Sequence, residues 1–176
     1  MTTAILPSAE PHERPSWPRL LTAADSANLP TSLPGGNVWY ELDDGIPVVR
    51  TPQTAKQSRC WIQFLRYLHT MESSEGFKLL GRTGIVLRRD PDRVVGPAIS
   101  VFDRNRWPPK VSAEDFLETI PDLIVEIRGK DDKITVMRGK VAEYLAAGVV
   151  EVWVFDPEEQ TIVKQGVGRV RKLAAS

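Results

Sequence analysis

The sequence predicts a mixed α/β (α+β) domain in which a mixed β-sheet is flanked by helices. Three observations point there. Leu123 to Phe155 reads as strand, helix, strand; an Asp-Gly turn at Asp44-Gly45 joins two aromatic and branched runs; and Trp61 to Met71 carries one apolar stripe at helical spacing. At 176 residues there is room for one domain with a real core and not comfortably for two. The expected division is a disordered tail over 1–18, broken by Pro7, Pro11, Pro15 and Pro18, a domain over 19–165 and a C-terminal tail over 166–176.

Taken in order, Thr22 to Leu29 fits a short helix capped by its threonine. Asn37 to Leu42 and Ile46 to Arg50 form the predicted hairpin around Asp43-Asp44-Gly45, with Pro47 placing the second strand at an edge. From Pro52 to about Glu72, Trp61, Phe64, Leu65, Leu68 and Met71 recur at spacings of three and four, the mark of one buried helical face. Phe77 to Leu80, Gly84 to Arg89 and Val94 to Phe102 read as strands, with a turn at Asp90-Pro91-Asp92. Leu123 to Arg128 is a branched strand, and Ile134 to Ala147 a helix ended by Gly148. Val149 to Phe155 is apolar enough for a central strand buried on both faces, parallel to the one before the helix. A last strand is expected over Thr161 to Lys164.

Composition excludes several classes of function. The 23 basic and 23 acidic residues cancel, so the chain does not hold nucleic acid by bulk charge, although a local basic groove remains open to it. The single cysteine, Cys60, allows no internal disulfide and no cysteine-based zinc site, and a reducing, cytoplasmic setting is the expectation. No apolar run approaches the roughly 20 residues needed to span a bilayer. With only His12 and His69, a histidine-based triad or metal site has no second partner, and His69 reads as a satisfied or exposed helix residue. There is no Gly-rich phosphate loop, no G-x-S-x-G elbow and no H-E-x-x-H helix.

Chemistry concentrates in Asp122-Leu-Ile-Val-Glu126. Strand alternation puts Asp122, Ile124 and Glu126 on one face. Glu126 is a carboxylate in a strand that otherwise wants burial, which costs several kcal/mol unless it is paired or bound to a cation. Two readings stand: a structural ion pair, to Lys140 or an arginine, or a ligand for a hard divalent metal. Lys140 flanks the stripe of Met137, Val141, Tyr144 and Leu145, so it reads either as a solvated flank or as a lysine that holds a water or a phosphate. Glu41 and the Asp43-Asp44 pair fit turn chemistry and surface charge. Arg88, Arg89 and Arg93, with Arg104 and Arg106, fit exposed strand ends or the rim of a phosphate site.

Five stretches in order make a family resemblance. They are Tyr40-Glu-Leu-Asp-Asp-Gly45, Leu87-Arg-Arg-Asp-Pro-Asp-Arg93, Gly96-Pro-Ala-Ile-Ser-Val-Phe102, Pro121-Asp-Leu-Ile-Val-Glu-Ile127, and the run from Lys140 to Pro157. Over Tyr40 to about Lys164 the chain resembles the Uma-two family of restriction endonuclease-like domains, a bacterial branch of the PD-(D/E)XK nuclease superfamily. The resemblance implies a restriction endonuclease-like core and a DNA-cleaving site. Carried over by position, its acidic and basic residues fall on Glu41, position 98, Glu126 and Lys140. The carboxylates would hold Mg²⁺ or Mn²⁺, with Lys140 stabilising the charge that develops on the phosphodiester. By analogy with the fold class, a homodimer is also expected.

Departures from the pattern are as informative. Position 98 is Ala98, where the family carries its metal-binding aspartate, so metal binding and cleavage are expected to be weakened or lost. Ser58 stands where relatives carry a histidine, and Ile127-Arg-Gly-Lys130 replaces a Ser-Pro-Ser loop. The sequence ends at Ser176, before the C-terminal strand region of many relatives. Asp122 lies roughly 13 Å from Glu126 along an extended strand, too far to replace the missing aspartate on a shared metal. The sequence therefore supports a weakened metal-dependent DNA endonuclease, or a non-catalytic DNA- or protein-binding module that kept the fold.

Overall fold

The computed structural model describes residues 19–50, 52–107, 116–130, 132–166 and 169–174; the tail expected over 1–18 lies outside them. In chain order the elements are α1 (Ala23–Ala27), β1 (Ser32–Leu33), β2 (Gly36–Asn37), β3 (Trp39–Asp43), β4 (Ile46–Arg50), α2 (Ala55–Glu75), β5 (Phe77–Gly81), β6 (Ile85–Arg88), β7 (Arg93–Val95), β8 (Ile99–Asp103), β9 (Leu123–Ile127), α3 (Ile134–Ala146), β10 (Glu151–Asp156), β11 (Thr161–Gly166) and β12 (Arg169–Ala174). The class is the mixed α+β one expected. A six-stranded sheet runs β12-β11-β10-β9-β8-β5, and a four-stranded sheet runs β4-β3-β7-β6.

The strand–helix–strand unit is present as read: β9 and β10 pair in parallel, Leu123 opposite Glu151 through Ile127 opposite Phe155, with α3 between them. Every other strand-to-strand pairing in the two larger sheets is antiparallel, and Leu117 makes one isolated parallel bridge to Ile85 of β6. The hairpin β3–β4 closes on Asp44 and Gly45, both at positive φ, the conformation that matches strand twist in a two-residue turn. Pro47 sits in β4, which is indeed the edge of its sheet. The long helix begins later than expected. Thr54 and Gln57 form a reciprocal capping box, which starts α2 at Ala55, and Gly76 ends it in the left-handed region.

Helix α2 packs Leu68, Trp61, Phe64 and Leu65 onto Ile99, Val101 and Val125 on one face of the six-stranded sheet. On the other face Val141 and Tyr144 of α3 join Phe102, Ile124 and Val152, together with Ile85 and Val95 from the four-stranded sheet. A smaller cluster of Leu42, Val86 and Val94 takes Ala23 of α1. The two sheets thus meet at α3. No described helix is long and apolar enough to cross a membrane.

Four sequence expectations change. The strand predicted over Val94 to Phe102 is two strands in different sheets, β7 and β8, because Pro97 has no N–H to give a ladder and the Gly96 N–H turns away to the Glu41 carboxylate at 3.0 Å. Arg93 is not an exposed strand end; it is buried, bonded to the Leu42 carbonyl at 2.8 Å and to Glu143 at 2.7 Å. The expected last strand over Thr161 to Lys164 runs to Gly166, and β12 occupies most of the stretch read as a C-terminal tail, antiparallel to β11. Within Val149 to Phe155, Val149 and Val152 are fully buried, but Val150 is exposed and precedes the strand.

Candidate functional site

Glu41 is drawn inward by alternation within β3: Leu42 faces the cluster under α1, and Glu41 faces the opposite way, toward α3, with no exposed side-chain surface. The surface-charge reading of this residue is therefore wrong. Glu126 is the last residue but one of β9, and Lys140 comes from the second turn of α3. The three meet. Lys140 Nζ lies 2.8 Å from Glu41 Oε1 and 3.0 Å from Glu126 Oε1, with its side chain 13% exposed. Lys140 is no solvated flank.

Other groups complete the cluster. Arg50 grips the second Glu41 oxygen, Nε at 3.1 Å and a terminal nitrogen at 2.7 Å. Tyr144, one helical turn from Lys140 and fully buried, donates its hydroxyl to Glu126 Oε1 at 2.5 Å. Burial alone would push the Glu41 carboxyl up, but the charges of Lys140 and Arg50 outweigh it and hold the group at about 2. Burial pulls Lys140 down, and Glu126 and Glu41 more than reverse this, so it stays firmly protonated. Burial, reinforced by the charges of Glu126 and Glu41, raises Tyr144 well above an ordinary phenol and keeps it a donor.

The cluster forms the floor of a cavity of about 330 Å³. Its walls include Trp39, the first turn of α2 with Gln53, Thr54 and Gln57, the Gly129–Lys130 loop, and Arg82, whose guanidinium stacks over Trp61 at 5.5 Å. Position 98 lines the same cavity. Ala98 immediately precedes β8, whose register with β9 pairs Ile99 with Val125, next to Glu126 in the chain. An aspartate here would add a third carboxylate to the lining of the cavity that holds Glu41 and Glu126. Ala98 instead packs its methyl against the apolar cluster of Ile127 and Phe155.

The donor set does not fit the Mg²⁺ or Mn²⁺ centre that the family pattern implies. Mg²⁺ needs free oxygens in near-octahedral geometry. Both Glu41 oxygens already accept from nitrogen donors, and Glu126 Oε1 accepts from Tyr144 and faces Lys140. The Ala98 carbonyl is taken by the Trp61 indole at 2.8 Å and the Arg82 N–H at 3.2 Å. Among the described residues no three of His, Cys, Asp and Glu gather as a metal site.

The remaining sequence candidates lie elsewhere. Asp122 binds the Asp103 N–H at 2.8 Å and Arg106 at 2.5 Å, holding the entry to β9 away from the cavity. Arg88 pairs with Asp44, and Arg89 with Asp92 and Glu118. His69 is on the exposed side of α2. Sequence reading missed Arg50. A signal existed: the Asp44-Gly45 turn sets Glu41 opposite Val48, which makes Arg50 its diagonal neighbour on the same face. Gly96, whose N–H binds Glu41, carried no such signal.

Comparison with known proteins adds three findings. The family model Uma2, described as "Putative restriction endonuclease", matches residues 28–164. Among solved structures the chain is similar to one titled a putative nuclease belonging to DUF820 from Anabaena variabilis, at 18% identity and a TM-score of 0.69, over 87% of this chain and 84% of that one. At that identity the likeness is one of fold. No curated protein matches the chain.

Proposed function

The chain belongs to the Uma2 family, and on that premise we propose that it is a DNA-directed protein of the restriction endonuclease type whose metal-dependent cleavage is weakened or absent. One observation carries the reading. Glu41, Glu126 and Lys140, from three separate elements, converge at one cavity, and the position that should complete them holds Ala98. Arg82 and Lys130 on the cavity wall suit the phosphates of a nucleic-acid strand. A homodimer, expected from the fold class, would present two such cavities to one duplex.

A second reading, a non-catalytic DNA-binding module, is favoured by the committed donors of Glu41 and the Ala98 carbonyl. Duplex and single-stranded DNA binding and cleavage, with millimolar Mg²⁺ or Mn²⁺, test both. The expected result is binding without efficient cutting by the wild type and Mg²⁺-dependent cutting by Ala98→Asp. Binding by both proteins with cutting by neither, when Ala98→Asp is folded by circular dichroism, favours the binding module. Robust Mg²⁺-dependent cutting by the wild type that survives Glu126→Ala would sink the assignment of this site.

A further inference from the structure

We infer that the ammonium of Lys140 is the resident cation of this cluster, clamping Glu41 and Glu126 together across the two sheets and closing the site to a divalent metal. The inference deepens the nuclease reading and rests on it only for the identity of the cluster as a former metal site. Glu41 belongs to β3 in the four-stranded sheet, Glu126 to β9 in the six-stranded sheet, and Lys140 to α3 where the sheets meet. Among the described residues, the Lys140 ammonium holds both sheets at once through charge-assisted bonds.

Charge balance supports closure. Two carboxylates, Glu41 and Glu126, face two cations, Lys140 and Arg50, so the cluster is neutral as it stands. Entry of a divalent ion would displace the ammonium from both carboxylates while leaving it in the same buried pocket, and the cluster would carry two excess positive charges in a low-dielectric place. An aspartate at position 98 would change that sum by one negative charge. With alanine there the internal cation is the better match, and the Glu41 oxygens have no lone pair left pointing at an empty site.

Thermal melting of the full chain tests this without any activity measurement. The wild type is expected to melt at one temperature in EDTA, millimolar Mg²⁺ and millimolar Mn²⁺. Lys140→Met is expected to melt lower and to gain stability from Mn²⁺, because two buried carboxylates then share one arginine. An ion bound at a hundredfold its Kd would raise Tm by roughly 5–10 °C. Such a rise in the wild type, abolished by Glu126→Gln, overturns the inference. A Lys140→Met protein that melts where the wild type does, or ignores Mn²⁺, overturns it equally; should that variant not fold, the wild-type and Glu126→Gln titrations decide. DNA binding with metal-responsive melting defeats the clamp and spares the nuclease reading, whereas metal-silent melting without DNA binding does the reverse.

Discussion

Tyr144 shows how a single side chain can be core and site at once. Its ring is fully buried with Phe102 and Val152, and its hydroxyl reaches Glu126. The helical spacing of Met137, Val141 and Tyr144 predicts the buried ring, but periodicity is silent about which acceptor a buried hydroxyl finds. Removing the donor leaves the buried carboxylate one partner short, so Tyr144→Phe should lower unfolding stability by roughly 1–3 kcal/mol, read by urea titration. A loss within the scatter of such titrations would mean that Lys140 alone satisfies Glu126. Glu126 itself was legible as an anomaly, an acid within a branched strand. Its pairing with Lys140 was one of two readings, and deciding between them needed distances.

At the scale of elements, the break between β7 and β8 matters most. It carries the chain from one sheet to the other and leaves the Gly96 N–H free for Glu41. A side chain at Gly96 would force the Trp39 ring to move, since a Cβ there would come within 2.3 Å of it. Sequence patterning sees only a branched run with a Gly-Pro interruption, and sheet membership is not local information. The start of α2 is a local matter by contrast. Thr54 caps the Gln57 N–H, Gln57 returns a bond to the Thr54 N–H at 2.9 Å, and both line the cavity. Thr54→Ala should cost about 1 kcal/mol in chemical denaturation and loosen that wall. An unchanged unfolding midpoint would show that the capping box is dispensable.

For the whole molecule, the buried cluster ties stability to pH. Glu41 has a folded-state value of about 2, below that of an unfolded glutamate, so its contribution is fully present above the unfolded value of about 4.3 and disappears as pH falls through the folded one. Stability measured by urea titration should therefore decline between roughly pH 5 and 2, and Glu41→Gln should flatten that decline while lowering stability at neutral pH. An equally steep acid limb in Glu41→Gln would place the acid sensitivity elsewhere. Lys140 acts at the other end. Its raised value keeps the clamp charged through neutral pH, and its contribution is lost only as alkaline pH passes that value.

By itself the sequence determined the fold class, the parallel β9–β10 pair, the Asp44-Gly45 hairpin and the candidates Glu41, Glu126 and Lys140. Each rests on short-range chemistry: alternation, helical spacing, turn residues, or the order of motifs along the chain. Tertiary structure decided that these three side chains, separated by as many as 99 residues, share one cluster. It also decided that Arg50, Tyr144 and the Gly96 N–H complete it, and that both Glu41 oxygens and the Ala98 carbonyl are already committed. Burial and charge balance are properties of the assembled neighbourhood, because each carboxylate's state depends on cations contributed by other elements. The sequence showed that an aspartate was absent at position 98, and only the fold showed what had become of the charges around it.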